Sequence, residues 1–373
     1  MTSPAHAPLS PSAAIIWRHC TGQPRMAAQF PQREDSAASM EGTAAHWVAA
    51  EVMHGRRVLV DTIAPNGICV TDEMIEGAEL YYESFTVPPQ FIESAISCKI
   101  IHPQCYGTPD AYSVSDGCIY VTDYKFGHAY VDAFENWQGV AYLAGVLDMH
   151  PQFDDATMRF SFTIVQPRCF SRAGSVRRWE GLVSTLKPLI EQLKMAAHLA
   201  MSDSAALLVG EHCTHYCSAI HSCPAAQREM GVGFHLATAV LPSPMQPAEM
   251  AIILRRIEFA RALLKSMTDG VTEEAMALMR TGGIVPGFGM EAGRGKLAWS
   301  KPIEEVLALG EMFGIELAKD GAITPTQAAA KFKKIGIDTS VITEYSSHQS
   351  GALKLVQTDE SVLRSVFSKE VTT

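Results

Sequence analysis

Runs of alternating polar and apolar residues lie on either side of Ser115-Asp116-Gly117. The runs at 106–114 and 118–125 are rich in β-branched and aromatic residues. Asp-Gly between two runs of this kind is a strong short-range signal for a tight turn between antiparallel strands. The pattern therefore predicts a β-hairpin.

Elsewhere the spacing of apolar residues and the position of Ser, Pro and Gly predict an alternation of helices and strands. The predicted helices cover 10–20, 41–55, 132–149 and 179–201, and the region from about 225 onward is expected to be mostly helical. The further predicted strands cover 78–87 and 158–166, and 23–39 is expected to be a polar loop. The chain is therefore expected to have an α/β fold.

The second strand of the hairpin carries chemistry on one face. Side chains alternate between the faces of a strand, so Asp123 and Lys125 are expected to point the same way, with Asp110 on the partner strand. Two carboxylates and an ammonium suit a hard divalent cation beside a proton-transfer group, as hydrolysis requires. Taken alone, these residues are more typical of a surface hairpin with solvated charges.

Composition narrows the class of protein. The chain has 373 residues, 47% of them hydrophobic, which is enough for one large domain or two. No apolar run is long enough to span a bilayer and no signal peptide is evident, so we expect a soluble, cytoplasmic protein. Because the formal net charge is -10, any contact with nucleic acid depends on local basic patches. The candidates are Arg168, Arg172, Arg177 and Arg178.

Nine cysteines without a secretory signal favour metal ligands or buried thiols over disulfides. The short segment that ends in Pro224 contains Cys213, Cys217 and Cys223. Three thiolates leave a tetrahedral metal site or an iron–sulfur cluster one ligand short, and Cys20 is the natural fourth ligand. The candidates for the fourth ligand of a competing Zn²⁺ site are His212, His215 and His221.

The sequence Pro109-Asp110 followed by Asp123-Tyr124-Lys125 resembles the signature of the PD-(D/E)XK nuclease superfamily, in its Asp-x-Lys variant. The resemblance implies a restriction-endonuclease-like αβββαβ core, which is a mixed central sheet flanked by helices. It also implies Mn²⁺ or Mg²⁺ held by Asp110, Asp123 and the carbonyl of Tyr124, with Lys125 orienting the attacking water.

Two helices extend the resemblance to RecB-type nucleases. Gly42-x-x-x-His46 resembles their first motif, which implies that His46 is a metal ligand, and small residues such as Gly42 would let this helix press close to a sheet. Gln138-x-x-x-Tyr142 resembles the third motif, which implies that these two side chains maintain the site geometry and contact substrate. Glu41 is expected to contact the metal ligands and not the metal ion itself.

A distant N-terminal cysteine with a compact C-terminal triplet resembles the iron–sulfur branch of RecB-type nucleases. This resemblance implies a 4Fe-4S cluster on Cys20, Cys213, Cys217 and Cys223 that joins the ends of a nuclease domain at 1–228. The region at 229–373 is expected to be mostly helical, and the sequence predicts no role for it. Most of the chain is similar to an uncharacterised phage and prophage family within the same superfamily.

These resemblances predict an Mg²⁺- or Mn²⁺-dependent deoxyribonuclease, specifically an exonuclease in phage DNA recombination, replication or repair. The expected partners in a bacterial host cell are DNA and a helicase or single-strand annealing protein. Two alternatives stay open. One is a catalytically silent DNA-binding or scaffold protein that retains the nuclease fold, and the other is a zinc-stapled regulatory module.

Overall fold

A computed structural model describes residues 7–30, 37–151, 157–169, 171–214, 217–239, 244–317 and 323–357. The chain divides into two compact units, Met1–Gly270 and Val271–Thr373. The boundary expected at 228 lies within the first unit, inside a helix at Pro224–Thr238. A longer helix, Pro247–Arg280, runs across the division between the units.

The first unit contains both helices and short strands. Its helices are α1 Ala14–His19, α2 Gln23–Ala27, α3 Ala37–Met53, α4 Asp72–Glu83, α5 Trp137–Met149, α6 Val183–Ala200, α7 Pro224–Thr238 and the greater part of α8 Pro247–Arg280. Its strands are β1 Phe91–Ile92, β2 Ile96–Ser97, β3 Tyr106–Gly107, β4 Ala111–Ser115, β5 Cys118–Tyr124, β6 Arg159–Val165 and β7 Val176–Leu182.

Five of these strands form one mixed sheet in the order β1-β4-β5-β6-β7. β5 and β6 run parallel, because α5 lies between them in the chain and returns it to the same end of the sheet. The other neighbouring pairs are antiparallel. β2 and β3 form a separate two-stranded ribbon. The predicted α/β class is thus confirmed.

The sheet has a hydrophobic core on each face. Ile119 and Val121 of β5 belong to a core with residues of α1, α5 and α6. Tyr124 of β5 and Ala111 of β4 belong to a second core with residues of α3 and α4. This division follows from the alternation of side chains along a strand. Phe160, Phe162 and Ile164 of β6 are all buried in the first core, in keeping with the same alternation.

One predicted strand is wrong. Most of 78–87 belongs to helix α4, which begins after Thr71, whose side chain accepts a hydrogen bond from the amide of Met74. Met74, Ala78 and Tyr81 are buried at helical spacing on one face. The spacing of apolar residues across 78–87 is compatible with both a strand and a helix. The cap at Thr71 and the packing against α3 favour the helix.

Several predicted boundaries also need correction. The segment 23–39 is not all loop, since it includes α2 and the start of α3.

The run 106–114 is two strands, β3 and β4, interrupted at Thr108-Pro109-Asp110, because proline cannot donate to a strand ladder. Residues 179–182 belong to β7, which pairs with β6, and the long helix begins only at Val183. Asn136 caps α5, which therefore starts later than the predicted 132.

The second unit combines helices with a long β-ribbon. Its described elements after α8 are β8 Phe288–Trp299, α9 Ile303–Met312, α10 Pro325–Lys334, α11 Ser340–Tyr345 and β9 Ser346–Gln357. β8 and β9 pair antiparallel, so the region expected to be mostly helical also contains two strands. Val306, Leu309 and Phe332 belong to a core of its own.

None of the helices in the described part of the chain combines the length and the apolar content needed to cross a bilayer.

Candidate metal centre

The predicted hairpin is confirmed and positions the acidic residues. Ser115 of β4 pairs with Cys118 of β5, so Asp116 and Gly117 form the turn, with φ angles of 51° and 68°. Two residues with positive φ define the turn type that matches the twist of the strands. Asp110 lies immediately before β4 rather than within it, while Asp123 lies near the end of β5.

His46, Glu93 and Asp110 form a group whose potential ligand atoms all lie within 4.8 Å of one another. His46 comes from α3, and its Nδ1 lies 3.1 Å from Oδ1 of Asp110. The amide of Tyr124 donates a 2.6 Å hydrogen bond to the other oxygen of Asp110, which fixes the carboxylate. An imidazole nitrogen and two carboxylates are suitable ligands for Mn²⁺, and the oxygens alone suit Mg²⁺.

Glu93 is the member of this group that the sequence analysis did not predict. It follows the edge strand β1, whose Ile92 pairs with Ala111, and its amide donates a 2.9 Å hydrogen bond to the carbonyl of Asp110. Its φ of 45° is unusual for a residue other than glycine, and such strain concentrates at functional sites. No local motif marks Glu93, because its position depends on pairing between β1 and β4.

The electrostatic environment differs among the three residues. Burial opposes ionisation of both His46 and Asp110, but their mutual attraction outweighs burial, so the pKa of His46 is raised and the pKa of Asp110 is lowered. Burial of the Glu93 carboxylate, and then the charge of Asp110, raise the pKa of Glu93 to about 7, although the residue as a whole is exposed to solvent. Glu93 is therefore protonated in part near neutral pH.

Asp123 belongs to a second polar group on the α5 side of the sheet. Lys125 Nζ lies 2.9 Å from Oδ2 of Asp123 and donates a 3.0 Å hydrogen bond to Oε1 of Gln138. The amide of Gln138 in turn donates a 2.8 Å hydrogen bond to Oδ1 of Asp123. The predicted shared direction of Asp123 and Lys125 is thus confirmed. Burial, opposed by Lys125 and reinforced by Asp110, raises the pKa of Asp123.

The predicted site residues therefore fall into two adjacent groups. His46 and Asp110 meet at one group with Glu93, and Asp123, Lys125 and Gln138 form the other. The charge of Asp110 affects the pKa of Asp123, so the two groups are close enough to interact. Among the described residues, the group within 4.8 Å does not include Asp123.

Two further predicted residues, Tyr142 and Glu41, have partners outside the ligand group. The hydroxyl of Tyr142 donates a 3.1 Å hydrogen bond to the carbonyl of Thr108, which braces the segment that leads into Asp110. Glu41 accepts a 2.8 Å hydrogen bond from Arg168.

The close helix–sheet approach expected from the small residues of α3 occurs at Ala45, which is buried with Ala111 and Tyr124 in one core. It does not occur at Gly42, where an added Cβ would meet no atom within 4 Å.

The basic residues near the site are mostly engaged within the protein. Arg168 pairs with Glu41 and Glu73, which joins α3 and α4. Arg177 is buried, and its guanidinium donates to the carbonyls of Val131 and Gly174. Of the four arginines named as a candidate basic patch, the structure therefore assigns these two to the internal framework.

The four predicted cluster cysteines lie in one neighbourhood. Cys20 ends α1, and its sulfur accepts a hydrogen bond from the amide of Leu208 at 3.4 Å. Burial raises the pKa of both Cys20 and Cys213, and each is raised further by the sulfur of Cys223. Burial raises the pKa of Cys217 to about 11, with further contributions from the other three sulfurs. All four are free thiols.

The structure describes two of the three histidines proposed as ligands of a zinc site, and these two have different neighbours. His212 Nε2 lies 3.3 Å from the sulfur of Cys213, and its ring meets that of His19 edge to face. His221 packs against Phe30 with ring centroids 4.8 Å apart. His215 lies outside the described residues.

The sequence from residue 6 to residue 361 matches the family model described as a protein of unknown function, DUF2800. This match covers nearly the whole chain, including both polar groups, the four cysteines and most of the second compact unit. The chain therefore belongs to the DUF2800 family.

Proposed function

We propose that this protein is a metal-dependent deoxyribonuclease of the PD-(D/E)XK superfamily, related to the RecB-type enzymes. The observation that carries the proposal is the grouping of His46, Glu93 and Asp110 within 4.8 Å, beside a lysine that contacts Asp123 and Gln138. A carboxylate-rich metal site next to a lysine suits the hydrolysis of phosphodiester bonds.

The order of elements around the site also supports the proposal. The hairpin β4–β5 is followed by α5 and by the parallel strand β6, and α3 precedes all of them. This order is compatible with the αβββαβ core that the resemblance implies, with β1 as its short first strand. A restriction-endonuclease-like core is accordingly part of the proposal.

Each residue has a defined role in the proposed reaction. His46, Glu93 and Asp110 would hold Mn²⁺ or Mg²⁺, with Asp123 and the carbonyl of Tyr124 as the further ligands that the resemblance implies. A cation held there polarises a phosphate and lowers the pKa of a bound water.

Lys125 presents a positive charge to the attacking water or to the developing phosphate charge. Its ammonium is held by Asp123 and Gln138, so it needs little reorganisation during reaction. Tyr142 acts indirectly, through Thr108, on the position of Asp110. Glu41 also has an indirect role, since its pairing with Arg168 stabilises the contact between α3 and α4.

The proposed substrate and setting rest on the resemblance. By that likeness the protein is an exonuclease on DNA in phage recombination, replication or repair, with a helicase or single-strand annealing protein as its partner. The predicted cytoplasmic location in a bacterial host cell is part of the same proposal.

We further propose that Cys20, Cys213, Cys217 and Cys223 hold a 4Fe-4S cluster. In a tetrahedral zinc site with Zn–S bonds of about 2.3 Å, the sulfurs lie about 3.8 Å apart. Within the part of the chain that the structure describes, these sulfurs form no group within 4.8 Å of one another. The cysteines thus share one neighbourhood, but their sulfurs are spaced more widely than the sulfur ligands of a zinc ion. This spacing favours a 4Fe-4S cluster over a single Zn²⁺ ion.

A nuclease assay tests the proposed function. Purified protein with MnCl₂ is expected to release labelled nucleotides from linear DNA, and Asp123→Ala and Lys125→Ala are expected to reduce the release to a small fraction of that of the wild type. If the wild type and both variants are equally inert on all DNA and RNA substrates, the alternative of a catalytically silent binding protein is favoured instead.

A further inference from the structure

Tyr81 on α4 carries a buried hydroxyl that has no hydrogen-bond partner among the described residues. The residue is only 2% exposed. Its ring is held between Phe85 and Tyr124, with centroid distances of 5.0 and 5.1 Å. A buried polar group without a partner lowers stability, so its retention calls for a ligand or water that satisfies it.

The ring of Tyr81 lines a small cavity that includes the candidate metal ligands. The cavity has a volume of about 10 Å³ and is lined by His46, Ala49, Ala50, Tyr81, Ile92, Glu93, Asp110 and Tyr124. A volume of about 10–15 Å³ is the minimum that accommodates one water molecule. Tyr81 thus lines a space of about the size of one water molecule, and all three candidate metal ligands line the same space.

The phenol is suited to donate a hydrogen bond there. A phenol carries its proton at neutral pH and can donate a hydrogen bond. The charges of Asp110, Asp123 and Glu93 act on this hydroxyl, so it lies near the acidic groups. The nearby acidic groups and any water they hold offer acceptors. Tyr124 has a second buried phenol, but its hydroxyl lies at Gly77, on the face of α4, where a Cβ would approach it to 2.5 Å.

We propose that Tyr81 is a positioning residue whose hydroxyl donates a hydrogen bond to a water bound to the cation at His46, Glu93 and Asp110. This inference rests on the proposed metal site. It assigns a further side chain to the environment of that ion, from a helix that contains none of the predicted motifs.

The test compares Tyr81→Phe with the wild type by thermal unfolding and by calorimetric titration with MnCl₂. Without metal, the variant is expected to be as stable as the wild type or more so, because the unpaired hydroxyl is gone. With saturating Mn²⁺, its rise in Tm is expected to be smaller, and its Kd for Mn²⁺ roughly three- to ten-fold weaker. A purely structural role for the hydroxyl would lower stability in both conditions.

Tyr112→Phe is the matched control. Tyr112 is also buried, but it packs in the core on the opposite face of the sheet, so its Mn²⁺ response is expected to equal that of the wild type. An unchanged Mn²⁺ response in Tyr81→Phe would overturn the role of Tyr81 while leaving the metal site intact. Absence of Mn²⁺ binding by the wild type would overturn both.

Discussion

Two aspartates with similar positions in the sequence motif have different environments. Asp110 is fixed by the amide of Tyr124 and pairs with His46. Asp123 is enclosed by Lys125 and Gln138. The first aspartate keeps its charge because of a neighbouring imidazole, whereas burial favours the protonated form of the second. Because both residues are aspartates, the difference between their pKa values comes from their surroundings.

The raised pKa of Glu93 predicts that Mn²⁺ binding depends on pH. Cation binding requires the ionised carboxylate, and Glu93 loses its proton as the pH rises through about 7. His46, whose pKa is also raised, must release its proton as well. Calorimetric titration is therefore expected to give a tighter Kd for Mn²⁺ at pH 8 than at pH 6.

Glu93→Gln should bind Mn²⁺ more weakly than the wild type and retain only the part of the pH dependence that comes from His46. Glu79→Gln, on the exposed side of α4, is the control and should behave as the wild type. A pH profile that is the same in Glu93→Gln and the wild type would show that Glu93 is not a ligand.

Lys125 is expected to affect the rate of reaction rather than cation binding. Lys125→Ala should lower kcat by about 10²–10³-fold, the usual effect of removing one group that stabilises developing charge. Its Kd for Mn²⁺ should change little, because the ammonium is not a ligand. Steady-state nuclease kinetics with calorimetric titration measure both quantities.

Lys99→Ala, at an exposed position in the same unit, serves as the control for Lys125→Ala. A large loss of Mn²⁺ affinity in Lys125→Ala with normal kcat at saturating metal would contradict the assigned role.

At the scale of elements, helix α5 depends on a close approach to the sheet. A Cβ added at Gly139 would lie 2.7 Å from the ring of Phe162 on β6, so only glycine permits this packing. The neighbouring residue Gln138 is thereby held within reach of Asp123 and Lys125. The helix–sheet contact and the polar group therefore depend on the same glycine.

Gly139→Ala is expected to lower the free energy of unfolding by about 1–3 kcal/mol, because the methyl group overpacks a rigid aromatic contact. It should also reduce nuclease activity by displacing Gln138. Urea unfolding and the nuclease assay test both effects.

Gly231→Ala is expected to have the opposite effect on the free energy of unfolding. Gly231 lies inside α7, and a Cβ there would meet nothing within 4 Å, so alanine should stabilise the helix by about 0.5–1 kcal/mol. If Gly139→Ala were as stable as Gly231→Ala, the packing argument for α5 would be wrong.

For the whole molecule, the start of the chain is joined to a distant segment. The amide of Gly22 donates to the carbonyl of Ala206, and Cys20 lies beside Leu208. Because these contacts close a loop of about half the chain, a cluster bound to Cys20 and the Cys213 segment would stabilise the fold considerably.

Cys20→Ser is expected to remove the broad visible absorption of an iron–sulfur cluster and to lower the Tm. Absorption spectroscopy, iron analysis and thermal unfolding measure these changes. Cys69→Ser is the control, because Cys69 is exposed and outside the cysteine group. Stoichiometric zinc without iron in the wild-type protein would favour the zinc-stapled alternative.

Local features of the sequence determined the hairpin, the helix at His46, the strand at Phe160–Ile164 and the capping box at Thr324. Each depends on residues within a few positions of one another, through turn conformation, side-chain periodicity or an end cap. The shared direction of Asp123 and Lys125 follows from the same periodicity.

Only the tertiary structure decided that 78–87 is largely helical, that Glu93 joins His46 and Asp110, and that Tyr81 faces the same cavity. The pairing of β1 with β4 brings Glu93 to Asp110, and the packing of α4 on α3 buries Tyr81. These contacts join segments whose local patterns contain no record of their partners, because the free energy that selects them comes from burial and pairing across the chain.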